Sequence, residues 1–368
     1  MSSGGQASRN FQYMWILRGG STRSVEFNLI PYLTDKTLLP LLEVTDDQTV
    51  LAFAGRLTSN FREVFVDVPR YLLDRSNKFQ EALRELLRAY PDPVDFLVTL
   101  KSWMNWPPLP SSGSSPFIPV ASSHGNVVSP DYSDQIIMVR SLSGQFSPIA
   151  VRVAVPQLTI TNIASTNNSY TSLLQQLPRN SYVLLDVPVI SGYVPVAALN
   201  IREMSLRARQ MGHKVFVLNA FDPFPTGHNF GPYFAFENQL EGFGDFATEP
   251  RIPLEGGGGY STSIIKYYDH ERFRIEEFRG NGYQDAENRL TASTIWQHQS
   301  SHRSNCRACL EVEHSNYQVS PAYWKQFRIE HYITCIVNDT QNLYGTVTSG
   351  PDLDPIGQDI IIRGSQTG

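Results

Sequence analysis

The stretch that decides the fold is YVLLDVPVISGYVPVAALNIREMSLRARQMGHKVFVL, residues 182–218. Its two ends, YVLLDV and KVFVL, are short apolar runs rich in β-branched and aromatic residues, and both predict buried strands. Residues 200–211 between them predict a helix, with Asn200 as its N-cap and Gly212 as its C-terminal stop. A strand, a helix and a second strand in this order are typical of a parallel sheet with helices outside it.

The same alternation of patterns runs through the chain before this stretch. Further strand-like runs occupy residues 12–17, 38–44, 63–68, 117–121 and 149–155, and helical spacing recurs at residues 25–33, 78–90 and 170–177. Residues 134–142 fit either period. About seven or eight strands over roughly 250 residues match a (β/α)8 TIM-barrel-like parallel barrel. A doubly wound open sheet is the alternative, and the lack of a G-x-G-x-x-G or Walker-type loop after any strand favours the barrel.

The composition indicates a folded chain without a strong charge bias. Hydrophobic residues make up 41% and charged residues 18% of the sequence, against roughly 25% charged in an average protein, which excludes disordered and coiled-coil chains. The net charge of −5 gives no basic field, so we expect no nucleic-acid partner. No apolar run approaches the ~20 residues that span a bilayer, so we expect no membrane partner. Residues 1–10 do not resemble a signal peptide, and three cysteines fit a reducing compartment, so we expect a cytoplasmic location.

The chain is expected to divide into three parts. We predict a main barrel domain at residues 11–250, a C-terminal part at 251–344 packed on the barrel as an irregular extension, and a polar tail at 345–368. Residues 220–249 combine acidic and aromatic side chains without lysine or arginine. We expect this segment to be a surface excursion that folds over the barrel mouth or contacts a partner, because its aromatic side chains would be costly to expose.

Polar side chains stand at or near the ends of the predicted strands. In a (β/α)8 barrel the functional face is at the carboxyl ends of the strands, so these side chains should meet at one mouth. They are Arg18, Glu43, Asp67, Arg152, Asp186, Asn219 and Asp245. Carboxylates beside arginines can bind a phosphate-bearing or sugar-like ligand, hold Mg²⁺ or perform acid–base catalysis. The candidate ligand-binding residues are therefore Arg18, Glu43, Asp67, Arg152, Asp186 and Asp245.

A purely structural interpretation of this set stays open. Arg18 with Glu43, and Arg152 with Asp186, can form ion pairs that only stabilise the fold. No G-x-S-x-G or H-E-x-x-H motif favours catalysis, so no catalytic residue is assigned. The sequence identifies no cofactor, which stays unknown, and it does not fix the oligomeric state.

A second group of chemistry-bearing residues lies near the C-terminus. His298 and His302 are spaced to project from one face of a helix, and His314 follows. Cys306 and Cys309 form a C-x2-C pair, which can bind one side of a zinc ion. The usual second C-x2-C pair is absent, and the competing interpretation is buried thiols with solvated histidines. Zinc binding by His298, His302, Cys306 and Cys309 is therefore a hypothesis, and no metal is assigned.

Three further patterns have plainer interpretations. The glycine run at residues 256–259 lacks the Walker context and predicts a linker rather than a phosphate loop. Arginines between residues 272 and 307 alternate with aromatics, as in single-stranded nucleic-acid sites, but the acidic residues among them favour a salt-bridged surface. The Pro- and Ser-rich residues 107–119 predict a loop.

Several short segments follow one another in a recognisable order: YMWILRGG with Glu26, LLPLLEV with Glu43, VFVDVP with Asp67, VLLDVP with Asp186, FGD at 243–245, IIKYY at 264–268 and AYWKQFRIEHYI at 322–333. Taken in this order, they resemble the phage beta protein family, also called beta family proteins. The resemblance covers most of residues 12–336. It implies a TIM-barrel-like fold, a helix at 134–142 and a fourth strand at 117–121. It also implies a link to phages and bacterial defence, without an established reaction.

Two function hypotheses follow. The first is a recognition or scaffold role in phage infection or antiphage defence. The barrel mouth or the aromatic–acidic segment would then bind a protein partner of a defence system or a small, phosphate-bearing ligand. The second is a TIM-barrel enzyme acting on a phosphate- or sugar-bearing substrate, with strand-end carboxylates as acid, base or Mg²⁺ ligands. We favour the first, because no nucleophile–base set is visible in the sequence.

Overall fold

Eight parallel strands close into a barrel in the computed structural model of the chain. They are β1 (Gln12–Arg18), β2 (Leu38–Glu43), β3 (Val64–Asp67), β4 (Phe117–Ser122), β5 (Ala150–Ala154), β6 (Tyr182–Asp186), β7 (Lys214–Leu218) and β8 (Gly242–Asp245). Each strand pairs with the next in sequence, and β8 pairs with β1 to close the ring. The predicted (β/α)8 fold is therefore confirmed, and the open sheet is excluded.

The structure describes most of the chain, in separate stretches. These are residues 11–18, 25–33, 35–46, 53, 56–57, 59–73, 80–104, 117–122, 128–187, 194–220, 229–247, 263–269, 274–298, 303–314 and 320–346, with backbone alone at 101–104, 194 and 339–346. The glycine run at 256–259, residues 107–116 of the predicted loop and the tail after 346 lie outside them. Residues 117–119, where the loop and strand predictions overlap, belong to β4.

Helices connect the parallel strands, as crossover connections require. They are α1 (Val25–Leu29), α2 (Gln80–Ala89), α3 (Pro93–Met104), α4 (Ser133–Ser143), α5 (Ala164–Gln176), α6 (Val194–Gln210) and α7 (Gly231–Glu237), with 3-10 turns at Ile30–Tyr32, Arg70–Leu72 and Ile160–Asn162. The ambiguous residues 134–142 lie in helix α4. Among the helices that the structure describes, none has the length and apolar composition needed to cross a bilayer.

Side chains alternate between the two faces of the barrel wall. Met14 and Ile16 of β1 point inward, where they pack with residues such as Phe216. Tyr13 and Trp15 point outward into the larger core that the barrel shares with the helices. Because this alternation has a period of two, it decides which strand-end side chains enter the mouth.

Residues after the barrel form a second layer with its own core. It contains the antiparallel hairpin β9 (Ser263–Asp269) and β10 (Arg274–Gly280), followed by α8 (Tyr283–Thr291), α9 (Thr294–His298), α10 (Arg307–Glu313) and α11 (Pro321–Thr346). Tyr267 and Trp324 are buried in this second core. Helix α11 also reaches the barrel, where Tyr332 joins the larger core and Lys325 pairs with Glu26 at 2.7 Å. The extension is thus more regular than its sequence pattern indicates.

The N-cap predicted at Asn200 is wrong. Helix α6 begins earlier, at Val194, and Asn200 is buried within it. Its side chain accepts a hydrogen bond from the backbone amide of Ile160 and donates one to the carbonyl of Pro156, both at 2.8 Å. In the sequence alone, an asparagine that binds the backbone of a neighbouring loop cannot be distinguished from one that caps a helix. Gly212 follows the helix with φ +82°, as the predicted stop requires.

The surface excursion predicted for residues 220–249 is also wrong. This segment supplies α7 and β8, which complete the barrel wall. Phe234 and Phe243 are 1% and 0% exposed, so these aromatic side chains are core residues rather than a docking surface. The composition of the segment resembled that of a loop because β8 is short. Its two glycines also remove the alternation of apolar side chains by which a strand is recognised.

Gly244 of β8 provides a steric test of barrel closure. A Cβ atom there would lie 2.7 Å from Met14 Cβ and 2.9 Å from Leu218 Cδ2, and would also meet the Met14 carbonyl oxygen. We expect Gly244→Ala to lower the free energy of unfolding by about 1–3 kcal/mol, because the barrel wall cannot move aside. In the control Gly144→Ala the nearest atom is 3.8 Å away, and we expect a change within about 0.5 kcal/mol. Urea unfolding measures both, and equal effects would contradict the tight β1–β8 contact.

Candidate functional site

Arg152 lies at the centre of a buried charged cluster in the barrel mouth. It is an inward-facing residue of β5 and is 2% exposed. Its Nη1 donates to Glu43 Oε1 at 2.7 Å and to Asp67 Oδ2 at 2.8 Å, and its Nε donates to Asp186 Oδ2 at 2.9 Å. One guanidinium thus joins the ends of β2, β3 and β6. Burial opposes its charge, but the carboxylates around it raise the pKa of Arg152 well above its ordinary value, so the group stays charged.

Arg18 extends the cluster toward solvent. Its Nε donates to Glu43 Oε2 at 3.0 Å, and its Nη2 donates to the Tyr71 hydroxyl at 2.9 Å. The Tyr71 hydroxyl donates in turn to Glu43 Oε1 at 2.8 Å. The Arg18 side chain is 11% exposed, and its guanidinium lies 4.4 Å from the centre of the Phe246 ring. Glu43 is therefore held by two arginines and a phenol.

Asp67 is fully buried beneath this cluster. Besides the bond from Arg152, it accepts a hydrogen bond from the Ser122 hydroxyl at the end of β4. Burial raises the pKa of Asp67 to about 6; the Arg152 charge and the Ser122 hydroxyl oppose the rise, while Glu43 adds to it. This carboxyl therefore takes up a proton at mildly acid pH.

Asp186 and Asn219 complete the cluster on the β6–β7 side. Asn219 follows β7 with φ +58°, a conformation that asparagine adopts more readily than most residues, and its Nδ2 donates to Asp186 Oδ1 at 2.7 Å. Within the described residues, Arg152 Nη2 and Asn219 Oδ1 are buried and have no hydrogen-bond partner. A buried polar atom left unpaired costs about 1–3 kcal/mol. The Arg152 donor and the Asn219 acceptor belong to the two residues that hydrogen-bond Asp186. Their lack of partners therefore points to a ligand.

Asp245 does not join this cluster, contrary to the expectation of a single mouth. Gly244 lies against the inward-facing Leu218, so the alternation along β8 turns Asp245 outward. There Asp245 accepts hydrogen bonds from the Tyr13 hydroxyl at 2.6 Å, from Asn229 Nδ2 at 3.1 Å and from the Tyr332 hydroxyl. It lies at the same end of the barrel as the other carboxyls, but on the opposite face of the wall.

The charges of the mouth cluster nearly cancel. The guanidiniums of Arg18 and Arg152 face the carboxyls of Glu43, Asp67 and Asp186. When Asp67 is protonated the charges of these groups balance, and when it ionises one negative charge is in excess. The arginines already engage the carboxylates, so this arrangement gives little support to a Mg²⁺ site. Hydroxyl groups, which both donate and accept, match the two unpaired atoms.

The C-x2-C pair at residues 306–309 has a different neighbour from the one predicted. Both thiols are fully buried and lie beside His331 of α11. His298 and His314 are exposed, and His302 lies outside the described residues. The predicted combination of His298 with the two thiols is therefore not formed.

Arginines of the C-terminal layer pair with acidic neighbours, as a salt-bridged surface requires. Ion pairs join Arg279 to Glu277 at 2.7 Å, Arg289 to Asp285 at 3.2 Å, Arg303 to Glu313 at 2.6 Å and Arg307 to Glu330 at 2.5 Å. Their positive charges are thus neutralised locally, and these pairings do not support a nucleic-acid groove.

Two residues of the mouth cluster were absent from the predicted set. Ser122 is the last residue of β4, so a strand-end search that included hydroxyl groups would have found it. Tyr71 lies in the 3-10 turn Arg70–Leu72, and no pattern in the sequence singles it out.

Comparison of the chain with protein-family models, with curated proteins and with solved structures finds no match. The chemistry of the mouth therefore has to be inferred from its own geometry, and membership of the phage beta protein family stays a prediction.

The raised pKa of Asp67 predicts a specific pH dependence of stability. The carboxyl releases its proton near its ordinary pKa of 3.8 when unfolded and near 6 when folded. The folded state therefore binds more protons in this interval, and the contribution of Asp67 to stability falls as the pH rises through it. We expect the wild type to gain stability relative to Asp67→Asn as the pH is lowered from about 7 to about 4.5.

Ser122→Ala sharpens this test. Loss of a hydrogen bond to the charged carboxylate should raise the pKa of Asp67 further and move the pH dependence to higher pH. Chemical unfolding at a series of pH values measures all three proteins. A wild-type advantage over Asp67→Asn that stays flat or shrinks on acidification would contradict the raised pKa.

Proposed function

We propose that the barrel mouth binds a small, neutral, hydroxyl-bearing ligand, such as a sugar or another polyol, in a recognition role. The observation that carries the proposal is the pair of buried, unpartnered atoms Arg152 Nη2 and Asn219 Oδ1. A hydroxyl oxygen accepts from the guanidinium, and a hydroxyl proton satisfies the amide oxygen. Both residues lie toward the carboxyl ends of the strands, where TIM-barrel proteins place their functional sites.

Charge favours a neutral ligand over a phosphate. An anion would enter beside the carboxyls of Glu43, Asp67 and Asp186, whose charge already offsets that of the two arginines. Arginine clusters that bind phosphate keep several N–H groups available for bidentate contacts. Arg152 has committed Nε and Nη1 to carboxylates, and only Nη2 lacks a partner.

The proposed biological setting rests on the resemblance stated above. In this setting the chain is a phage-related or antiphage-defence protein of the cytoplasm that acts with a protein partner of the defence system. Binding of the ligand at the mouth would be the event to which the protein responds. Phe234 and Phe243 of the aromatic–acidic segment are buried, so its described part, residues 229–247, does not support a docking role. The mouth is therefore the recognition surface that we propose.

A TIM-barrel enzyme acting on a sugar-bearing substrate is the second candidate. It is favoured by Asp67, whose pKa near 6 suits a general acid at neutral pH. An acid role requires Asp67→Asn to abolish turnover of a chromogenic glycoside while sugar binding persists. Absence of turnover by the wild-type protein, with sugar binding intact, would leave recognition as the function.

Calorimetric titration of the full chain tests the recognition role. The probes are ribose, glucose and myo-inositol, with inorganic phosphate as the anionic comparison. We expect at least one polyol to bind and inorganic phosphate not to bind. Asn219→Gly keeps the positive φ without strain and should weaken polyol binding about tenfold, which corresponds to the loss of about one hydrogen bond.

Asn180→Gly is the matched control. Asn180 also has φ +58°, but it precedes β6 and so lies at the opposite end of the barrel from the mouth. Polyol binding should be unchanged in this variant. A lack of polyol binding, or polyol binding that Asn219→Gly leaves unaltered, would contradict the proposal.

A further inference from the structure

All three cysteines of the chain gather around one histidine in the C-terminal layer. Cys306 and Cys309 lie at the start of α10, His331 and Cys335 lie on α11, and no pair of these cysteines forms a disulfide. The ligand atoms of Cys306, Cys309 and His331 are all within 4.8 Å of one another. Cys335 Sγ is 3.6 Å from His331 Nδ1. This convergence is independent of the barrel mouth.

His331 is oriented as a metal-binding histidine. Its Nε2 lies 3.1 Å from the backbone carbonyl of Tyr268. Because a carbonyl only accepts, Nε2 carries a proton, and Nδ1 is the ring nitrogen that faces the thiols. Nδ1 is 3.3 Å from Cys309 Sγ. The ring also stacks on Tyr267 with centroids 4.0 Å apart, which fixes its plane.

We propose that Cys306, Cys309 and His331 bind a structural zinc ion and that Cys335 supplies the fourth ligand. Zinc–sulfur and zinc–nitrogen bonds of about 2.3 and 2.0 Å at a tetrahedral angle place sulfur and nitrogen about 3.5 Å apart. The Sγ–Nδ1 separations of 3.3 Å for Cys309 and 3.6 Å for Cys335 are close to that value. Cys335 Sγ is also 3.7 Å from His331 Nε2 and lies outside the 4.8 Å group, so its side chain has to change rotamer for its sulfur to complete the tetrahedron.

A backbone amide is directed at one of the proposed sulfur ligands. The backbone amide of Cys309 donates to Cys306 Sγ at 3.2 Å. Metal binding needs deprotonated thiols, and a backbone N–H group directed at the sulfur favours the charged form of the thiol.

The donor set and its burial favour zinc over two other roles. Sulfur and imidazole ligands suit zinc, whereas Mg²⁺ and Ca²⁺ require oxygen ligands. The α11 carboxylate Glu330 is held by Arg307 at 2.5 Å. A redox dithiol has to be reached by a partner thiol, but Cys306 and Cys309 are both 0% exposed. A closed site of this kind joins α10 to α11 and stabilises the second core.

Elemental analysis of the full chain, purified without chelator under reducing conditions, is the first test. We expect about one equivalent of zinc per chain, and less than about one tenth in the double variant Cys306→Ser/Cys309→Ser. The control is the double variant His298→Ala/His314→Ala, which changes exposed histidines and should keep its zinc. Wild-type protein with less than about one tenth of an equivalent overturns the proposal, as does a Cys306–Cys309 disulfide in protein kept anaerobic.

Cobalt substitution of the wild-type protein keeps the test valid where the serine variants do not fold. The Co²⁺ form should show the visible bands of a tetrahedral site and near-ultraviolet charge-transfer bands from thiolates. In Cys335→Ser the charge-transfer intensity should fall by about one third, since two thiolates of three remain. An octahedral cobalt spectrum in the wild type overturns the site, and unchanged intensity in Cys335→Ser overturns the role of Cys335.

Discussion

The barrel mouth depends on the burial of one guanidinium. Taking Arg152 and its carboxylate partners out of water costs several kcal/mol per ion, and attraction offsets this only when every charge is paired. Barrel closure meets that condition, because it brings the ends of β2, β3 and β6 around β5. Replacing Arg152, Glu43 or Asp186 by a neutral residue unbalances the charges inside the barrel, whereas a neutral residue in place of Asp67 leaves them balanced. The orientation that such a cluster imposes on its side chains explains it better than its net contribution to stability does. The atoms that it orients here are Arg152 Nη2 and Asn219 Oδ1.

Most of this cluster could be predicted from strand ends alone, because a parallel barrel brings all carboxyl ends together whatever lies between them. Arg18, Glu43 and Asp67 close three successive strands, and each was found in this way. Asp245 was assigned to the mouth wrongly, since the inward positions Gly242 and Gly244 of β8 carry no side chain from which the alternation could be recognised. Tyr71 was missed for a different reason: it lies in a 3-10 turn of three residues, which is too short to show a periodicity.

The thiol cluster shows the limit of local spacing. The C-x2-C pair was visible because both thiols lie on one short element. His298 attracted attention because it lies close to them in sequence, yet it is exposed on α9. The histidine that meets Cys309 is separated from it by 22 positions. Only the packing of α10 against α11 and β9 brings the two together, so the pairing depends on tertiary structure that spacing does not encode.

Helix α11 joins the two layers through consecutive residues. Successive side chains on a helix are turned by about 100°, so neighbours along the sequence face different surroundings. Tyr332 bonds Asp245 and Asn229 on the outer wall of the barrel, while His331 faces the thiols and the Tyr268 carbonyl of β9. Asp245 thus belongs to the attachment of the C-terminal layer, and the mouth cluster belongs to the barrel interior. Position at a strand end does not distinguish these two roles; the face of the wall on which the side chain lies does.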